Sequence, residues 1–196
     1  MARSPASELV LEAAAAAFSE LGFHGTSTRE IAARAGMSPS WLYVHYSSKE
    51  ALLFEISRGG HERVLATLRR AASEGVTPTE RLESAVHAFV LSHARGHVRA
   101  RVVNYEIAAL SPGHVAEIVA LRRDMVKVMR SVIDAGLRTG DFTTPDPSMT
   151  CLAIMSLGVD VSRWYRDDGR WSPEDVAAHY RDLALRMVGT TGMTTP

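Results

Sequence analysis

Two basic residues in the N-terminal quarter stand where helix physics disfavours them. Arg29, in Ser27-Thr-Arg-Glu30, and Lys49, in Ser47-Ser-Lys-Glu50, fall in the first turns of two predicted helices. A cation beside the positive end of a helix macrodipole costs about 0.3–1 kcal/mol unless an anion compensates. A helix N-terminus with a cation beside it is, conversely, a good phosphate site. Between the two lie Ser40, Trp41, Tyr43, Val44 and His45, which put hydroxyl, aromatic and apolar groups in one short run. Such groups hydrogen-bond phosphate oxygens and meet thymine methyls in the major groove. The chemistry these residues fit is the gripping of a nucleic-acid backbone.

Little else in the chain is arranged for chemistry. His93 and His97, four residues apart, could chelate a metal from one helix face, but no third ligand follows at helical spacing and Gly96 weakens a helix there. No G-x-S-x-G, phosphate-binding loop or dinucleotide fingerprint occurs. His87, His114 and His179 read as surface or satisfied core residues. We expect no catalytic residue, no metal and no cofactor. The single Cys151 lies in an apolar stretch, which excludes an intrachain disulfide framework and points to a reducing, cytoplasmic setting. It reads as a buried small hydrophobe rather than a redox sensor.

The 196 residues suit one domain or two modest ones, and 46% hydrophobic with 22% charged content is ordinary for a soluble globular chain. No run approaches the ~18 apolar residues of a membrane span, and no membrane partner is expected. The polar start MARSPASE leads into an alanine-rich helix without a cleavage-type site, so no signal peptide is read. The formal net charge is zero, and residues 1–60 hold five Lys/Arg against six Asp/Glu. That is not the strongly basic domain of a typical nucleic-acid binder. Within 26–49, however, Arg29, Arg34 and Lys49 oppose only Glu30. The basic character is local, which implies modest non-specific affinity and a small salt dependence.

The elements that must position these residues are all helical. A first helix is expected from about Ala6 to Leu21, with Leu11, Ala14, Phe18 and Leu21 at spacings of three and four, ended by Gly22. Ser27 and Glu30 form a capping box for the second helix, which Gly36 stops. Ser38-Pro39 opens a short third helix to about Tyr46. Ser47 and Glu50 form another capping box, and the fourth helix runs to about Arg70. Further helices are expected from Thr77 with Leu82, Val86, Phe89 and Val90 inward, over Arg99–Leu110, and from His114 to Thr139. A segment over Asp146–Asp168 is apolar nearly all round between Cys151 and Val159, and must be covered on more than one side. The last helix starts at Ser172, with Trp171 and Val176 as a hydrophobic staple and a stripe of Val176, Tyr180, Leu183 and Met187.

Ile31, Ala35, Leu42 and Tyr46 can pack with Leu11, Phe18 and Leu21 as a trihelical core, which is what a helix-turn-helix needs beneath its outward-facing third helix. In residues 13–56 the order F-x-x-x-G-F, then T-S/T-x-R-x-I-A, then A-G-x-S-x-x-x-L-Y-x-H-[FY]-x-S-K-E-x-L resembles the TetR family of one-component bacterial regulators. The resemblance implies that Ser27, Thr28 and Arg29 contact an operator from the second helix, Tyr43 and His45 from the third, and Lys49 through a phosphate. The candidate DNA-facing set is therefore Ser27, Thr28, Arg29, Ser38, Ser40, Trp41, Tyr43, Val44, His45 and Lys49. Trp41 and Val44 depart from the pattern, in which a small residue and a polar or basic one are usual, and imply a more apolar readout. Arg3, ahead of the first helix, is either a minor-groove arm or merely solvated.

The expected architecture is all-α, with about nine helices. A three-helix helix-turn-helix head (residues 1–50) joins through a shared fourth helix to a helical ligand-binding and dimerisation body (51–190), followed by a disordered tail (191–196). A shared helix could transmit a change in the body to the head. A two-fold dimer would space two recognition helices ~34–36 Å apart over a palindrome, and the resemblance implies pairing through the last two helices. Phe89, His93, Arg101, Tyr105, Arg122, Met125, Met129, Met155 and Trp164 either line an apolar cavity with a few polar anchors or form plain core. Residues 160–185 are similar to the C-terminal run of TetR-type repressors of fatty-acid and steroid catabolism. That similarity implies an acyl-CoA thioester effector, with arginines such as Arg101, Arg122, Arg163 or Arg166 near its phosphates. The expected function is a ligand-released, homodimeric repressor binding a double-stranded operator. The alternative is a helical ligand-binding protein or enzyme without DNA binding.

Overall fold

The computed structural model describes residues 4–190. Among them every regular element is a helix: α1 (Pro5–Gly25), α2 (Thr28–Arg34), α3 (Pro39–His45), α4 (Lys49–Ala71), α5 (Pro78–Arg95), α6 (His97–Tyr105), α7 (Pro112–Thr139), α8 (Pro147–Trp164) and α9 (Pro173–Val188), with one 3-10 turn at Ile107–Ala109. The all-helical expectation, with a helix-turn-helix head and a helical body, holds. The tail at 191–196 and Arg3 lie outside the described residues. The chain forms two compact units, one of residues up to His61 with Val98–Val119, the other of Glu62–His97 with the residues from Ala120 onward.

In the first unit α1 packs against α2 and α2 against α3, and Val10, Leu11, Ala14, Ala17 and Phe18 of α1, Ile31 of α2, Leu42 of α3 and Leu52, Leu53 and Ile56 of α4 are all nearly inaccessible. Gly22, at φ 72° and ψ 164°, breaks the helical path inside α1. Leu21, expected in the core, lies in the last turn before this break and is 46% exposed, while Phe23, just past it, is buried. Ala35 and Tyr46, also expected inside, are only half-buried. The cap of α3 forms as read, with Ser38 Oγ accepting from Trp41 N–H at 3.1 Å. At α2 only half of the expected capping box forms: Ser27 Oγ accepts from Glu30 N–H at 3.1 Å, while the Glu30 carboxylate turns to Arg34. At α4 the cap is one residue later than expected. Ser48 Oγ, not Ser47, accepts from Ala51 N–H. That shift frees the Glu50 carboxylate, which accepts from Ser111 N–H at 2.8 Å and from His114 Nδ1 at 2.7 Å. The His114 ring stacks on Phe54 at 3.7 Å. The helix expected over Arg99–Leu110 lets go at Glu106, where φ −92° and ψ 11° are not helical, and ends in the 3-10 turn.

In the second unit α5 packs against both α8 and α9. Leu82, Ala85, Val86, Phe89 and Val90 of α5 join Met125, Met129, Val132 and Ile133 of α7, Cys151, Ile154 and Met155 of α8, and Val176, Ala177, Ala184, Leu185 and Val188 of α9 in one buried cluster. Gly158 lets the Phe89 ring approach α8, since a Cβ there would lie 2.7 Å from two ring carbons. The buried face of α9 is rotated from the expected stripe: Tyr180, Leu183 and Met187 are half-buried flanks. Its Ser172–Asp175 capping box is complete. Trp171 is 55% exposed with the Arg170 guanidinium over it, rather than tucked against Val176. α8 ends at Trp164, short of Asp168, where Arg166 Nη1 donates to the carbonyls of Arg163 and Tyr165.

Candidate nucleic-acid interface

α3 has seven residues and one of them, Leu42, is buried. One inward anchor fixes the helix and leaves its other side chains pointing away from the core. Ser40 and His45 are exposed, Tyr43 is 56% exposed and Val44 80%. Trp41 is half-buried, with its ring 4.1 Å from the His45 imidazole. The Tyr43 hydroxyl lies 2.8 Å from Thr28 Oγ1, so the outward faces of α2 and α3 are joined by a hydrogen bond. Ser27 and Ser38 are exposed but their hydroxyls already accept cap bonds, leaving each with one O–H to donate outward.

The charges are placed less simply than the residue types suggest. Arg34 donates to Glu20 Oε2 at 2.7 Å and Glu30 Oε1 at 2.9 Å, and these bonds raise its already high pKa. Lys49 is turned inward: Nζ donates to the carbonyl oxygens of Phe23 at 2.6 Å and Thr26 at 2.8 Å. It also stands 4.3 Å from the Phe23 ring centroid. Of the three cations in 26–49, Arg29 alone is exposed with no partner among the described residues. Phe23 and Thr26 were missed by sequence reasoning. Their part is played by backbone carbonyls, which no side-chain type announces.

The candidate ligand residues divide between the units. Phe89, His93, Met125, Met129 and Met155 are buried in the second, beside a half-buried Arg122. His93 Nδ1 lies 2.9 Å from the Phe89 carbonyl, which can only accept, so that nitrogen carries the proton. Burial, reinforced by the Arg122 charge and partly opposed by the Phe89 bond, pushes His93 below its ordinary pKa and keeps it neutral. Arg163 and Trp164 stand at the exposed end of α8, with Arg163 3.9 Å from Asp160. Arg101 is half-buried and Tyr105 is 45% exposed, both in the first unit. Gly96 closes α5, so His93 and His97 sit on different helices, and no group of three metal-ligating side chains occurs among the described residues. Burial pushes the Cys151 thiol up to about 11, which leaves it a thiol at neutral pH. No described helix is long and apolar enough to cross a membrane.

Known proteins match this arrangement over nearly its whole length. Residues 10–56 fit the family described as "Bacterial regulatory proteins, tetR family", and residues 75–188 fit "Tetracyclin repressor-like, C-terminal domain". The HTH-type transcriptional repressor KstR2 of Mycobacterium tuberculosis is 31% identical over 186 residues, covering 93% of this chain and 91% of its own. A solved structure of a tetR-family regulatory protein from Rhodococcus RHA1 superposes with a TM-score of 0.91 at 44% identity, over 96% of this chain and 99% of that one. The structure of AibR in complex with isovaleryl coenzyme A and operator DNA gives 0.82 at 25% identity, over 94% and 99%. These relatives are regulators, not enzymes, and the chain belongs to the TetR family of DNA-binding bacterial transcriptional regulators.

Proposed function

We propose that this protein is a homodimeric repressor that binds a palindromic operator and is released by an apolar, acyl-CoA-type effector. The observation that carries the DNA part is the outward face of α3, where Tyr43, Val44 and His45 are exposed on a helix with one buried residue. Residues 1–50 form the operator-binding part, with Thr28, Arg29 and Tyr43 at its centre, and 51–190 the effector and dimer part. The relative KstR2 is a repressor, and AibR was solved with isovaleryl coenzyme A and operator DNA, which supports extending both properties to this chain. Acting on DNA places it in the cytoplasm. Phe89, Met125, Met129 and Met155 offer an apolar, adaptable lining for an acyl chain. The effector must bind the released state more tightly than the DNA-bound one, since equal affinities would shift nothing.

The test uses a duplex selected from a random-sequence pool by the wild-type protein. Arg29→Ala with Tyr43→Ala is expected to lower affinity for it at least tenfold with helicity intact. Retained affinity sinks the DNA assignment. Isovaleryl coenzyme A or a longer acyl-CoA is expected to release the duplex where free coenzyme A does not. If no acyl-CoA releases it, the effector class is wrong while the operator reading stands.

A further inference from the structure

Lys49 opens α4 at the dipole end that disfavours a cation. What compensates it is inside the protein. Its ammonium meets two carbonyl oxygens, those of Phe23 and Thr26, and an aromatic face. Both carbonyls belong to the corner between α1 and α2, where Gly22 has turned the chain off the helical path and the Phe23 carbonyl has only a long bond from Thr26 N–H, at 3.4 Å, beside that from Lys49. The corner is tied from its own side as well. The buried Thr26 hydroxyl donates to Gly22 O at 2.8 Å, and Ala17 O lies 3.2 Å from it. Immediately beyond Thr26 come Ser27, which caps α2, and Thr28, whose hydroxyl meets Tyr43.

We propose that Lys49 is a positioning residue: it bolts the α1–α2 corner to the start of α4 and so sets Thr28, Arg29 and Tyr43 for the operator, without itself neutralising a phosphate. The proposal rests on α2 and α3 being the operator surface. Two of the three ammonium protons point at carbonyls 2.6 and 2.8 Å away. A phosphate contact would have to break this arrangement or use only the third.

Salt separates the two roles. Each neutralised phosphate contributes about 0.9 to the slope of log affinity against log salt, so removing one such cation from each protomer lowers it by about 1.8. That removal also weakens selected and scrambled duplexes alike. Loss of positioning leaves the slope unchanged and weakens the selected duplex more than the scrambled one. The full-length wild-type, Lys49→Met, Lys49→Gln and Thr26→Val proteins are compared on both duplexes across a salt series, with circular dichroism as the folding check. Lys49→Met is expected to lose about tenfold in affinity for the selected duplex and most of that in discrimination, with parallel salt lines. Lys49→Gln keeps N–H donors without the charge and recovers part of the loss. Thr26→Val, with Lys49 intact, reproduces the defect in milder form. If Lys49→Met does not fold, the slope and discrimination of Lys49→Gln decide. A slope lower by about 1.8 with unchanged discrimination overturns the proposal. A wild-type protein that selects no duplex removes the operator reading itself, a different result from either.

Discussion

Val44 is 80% exposed on α3 beside Tyr43, at a position where the family pattern favours a polar or basic group. An isopropyl group there offers a base edge no hydrogen bond, and the partner it fits is a thymine methyl. Burying one such methyl group is worth about 0.8 kcal/mol, close to fourfold in affinity. Replacing the contacted thymine by uracil in both half-sites is therefore expected to weaken wild-type binding by roughly fifteenfold, and Val44→Ala much less. An equal uracil penalty in both proteins would show that Val44 does not read the methyl. His93 makes a different prediction. Its folded pKa lies below the ordinary 6.5 because burial opposes the charge. Below pH 6.5 the unfolded chain takes up a proton that the folded ring refuses, so stability is full above that pH and is lost as pH falls through it. Thermal unfolding from neutral pH down to about pH 5 should show a falling Tm, with a smaller fall in His93→Gln. Parallel curves would place the proton uptake elsewhere.

Between single residues and the whole fold, the elements show which signals travel in sequence and which do not. Gly158 is the sharpest packing case, with its missing Cβ occupied by Phe89 ring carbons. Gly158→Ala should cost about 1–3 kcal/mol by overpacking, and each kcal/mol lowers Tm by about 2–4 °C at this size. A Tm within 1 °C of wild type, roughly the scatter of such scans, would mean that α5 and α8 yield easily. Nothing in the sequence marks that approach, because it depends on a residue 69 positions away. Cap motifs were legible for the opposite reason. Ser27, Ser38, Thr77 and Ser172 act within three residues, and each accepts the backbone N–H expected of it. Ser47-Ser48 slipped because either serine suits a cap and Glu50 had a tertiary partner in His114. Leu21 kept the helical spacing of the stripe yet is exposed in the last turn before Gly22, and the burial falls on Phe23 beyond the break, which periodicity does not foresee. The outward set on α3 was readable from its single inward Leu42. The inward turn of Lys49 was not, since its acceptors are carbonyls of a corner that exists only once α1 is folded.

At the scale of the whole molecule the question is what covers α8. Cys151, Ile154, Met155 and Gly158 face the core, while Met149, Leu152, Leu157 and Trp164 are 64%, 49%, 39% and 38% exposed. These four recur along one uncovered side of a helix that reads as apolar all round, and such a helix is stable in water when something packs on both sides. A second copy of the chain is the proposed cover. A two-fold axis brings the same patch of each protomer together, so one substitution acts twice. Leu152→Glu would place two carboxylates in that contact without partners. Removing an uncompensated charge from water costs about 3–5 kcal/mol, enough to lower a dimer constant by at least a hundredfold. Sedimentation velocity should therefore show a dimer for wild type and a helical monomer for Leu152→Glu at the same concentration. Because Leu152 is far in sequence from the operator surface on α2 and α3, the monomer should keep its weak affinity for a single half-site. It should lose the added affinity that two linked heads give on the full palindrome. A Leu152→Glu protein that stays dimeric and binds the palindrome like wild type would move the interface off α8 and leave its apolar side for another partner.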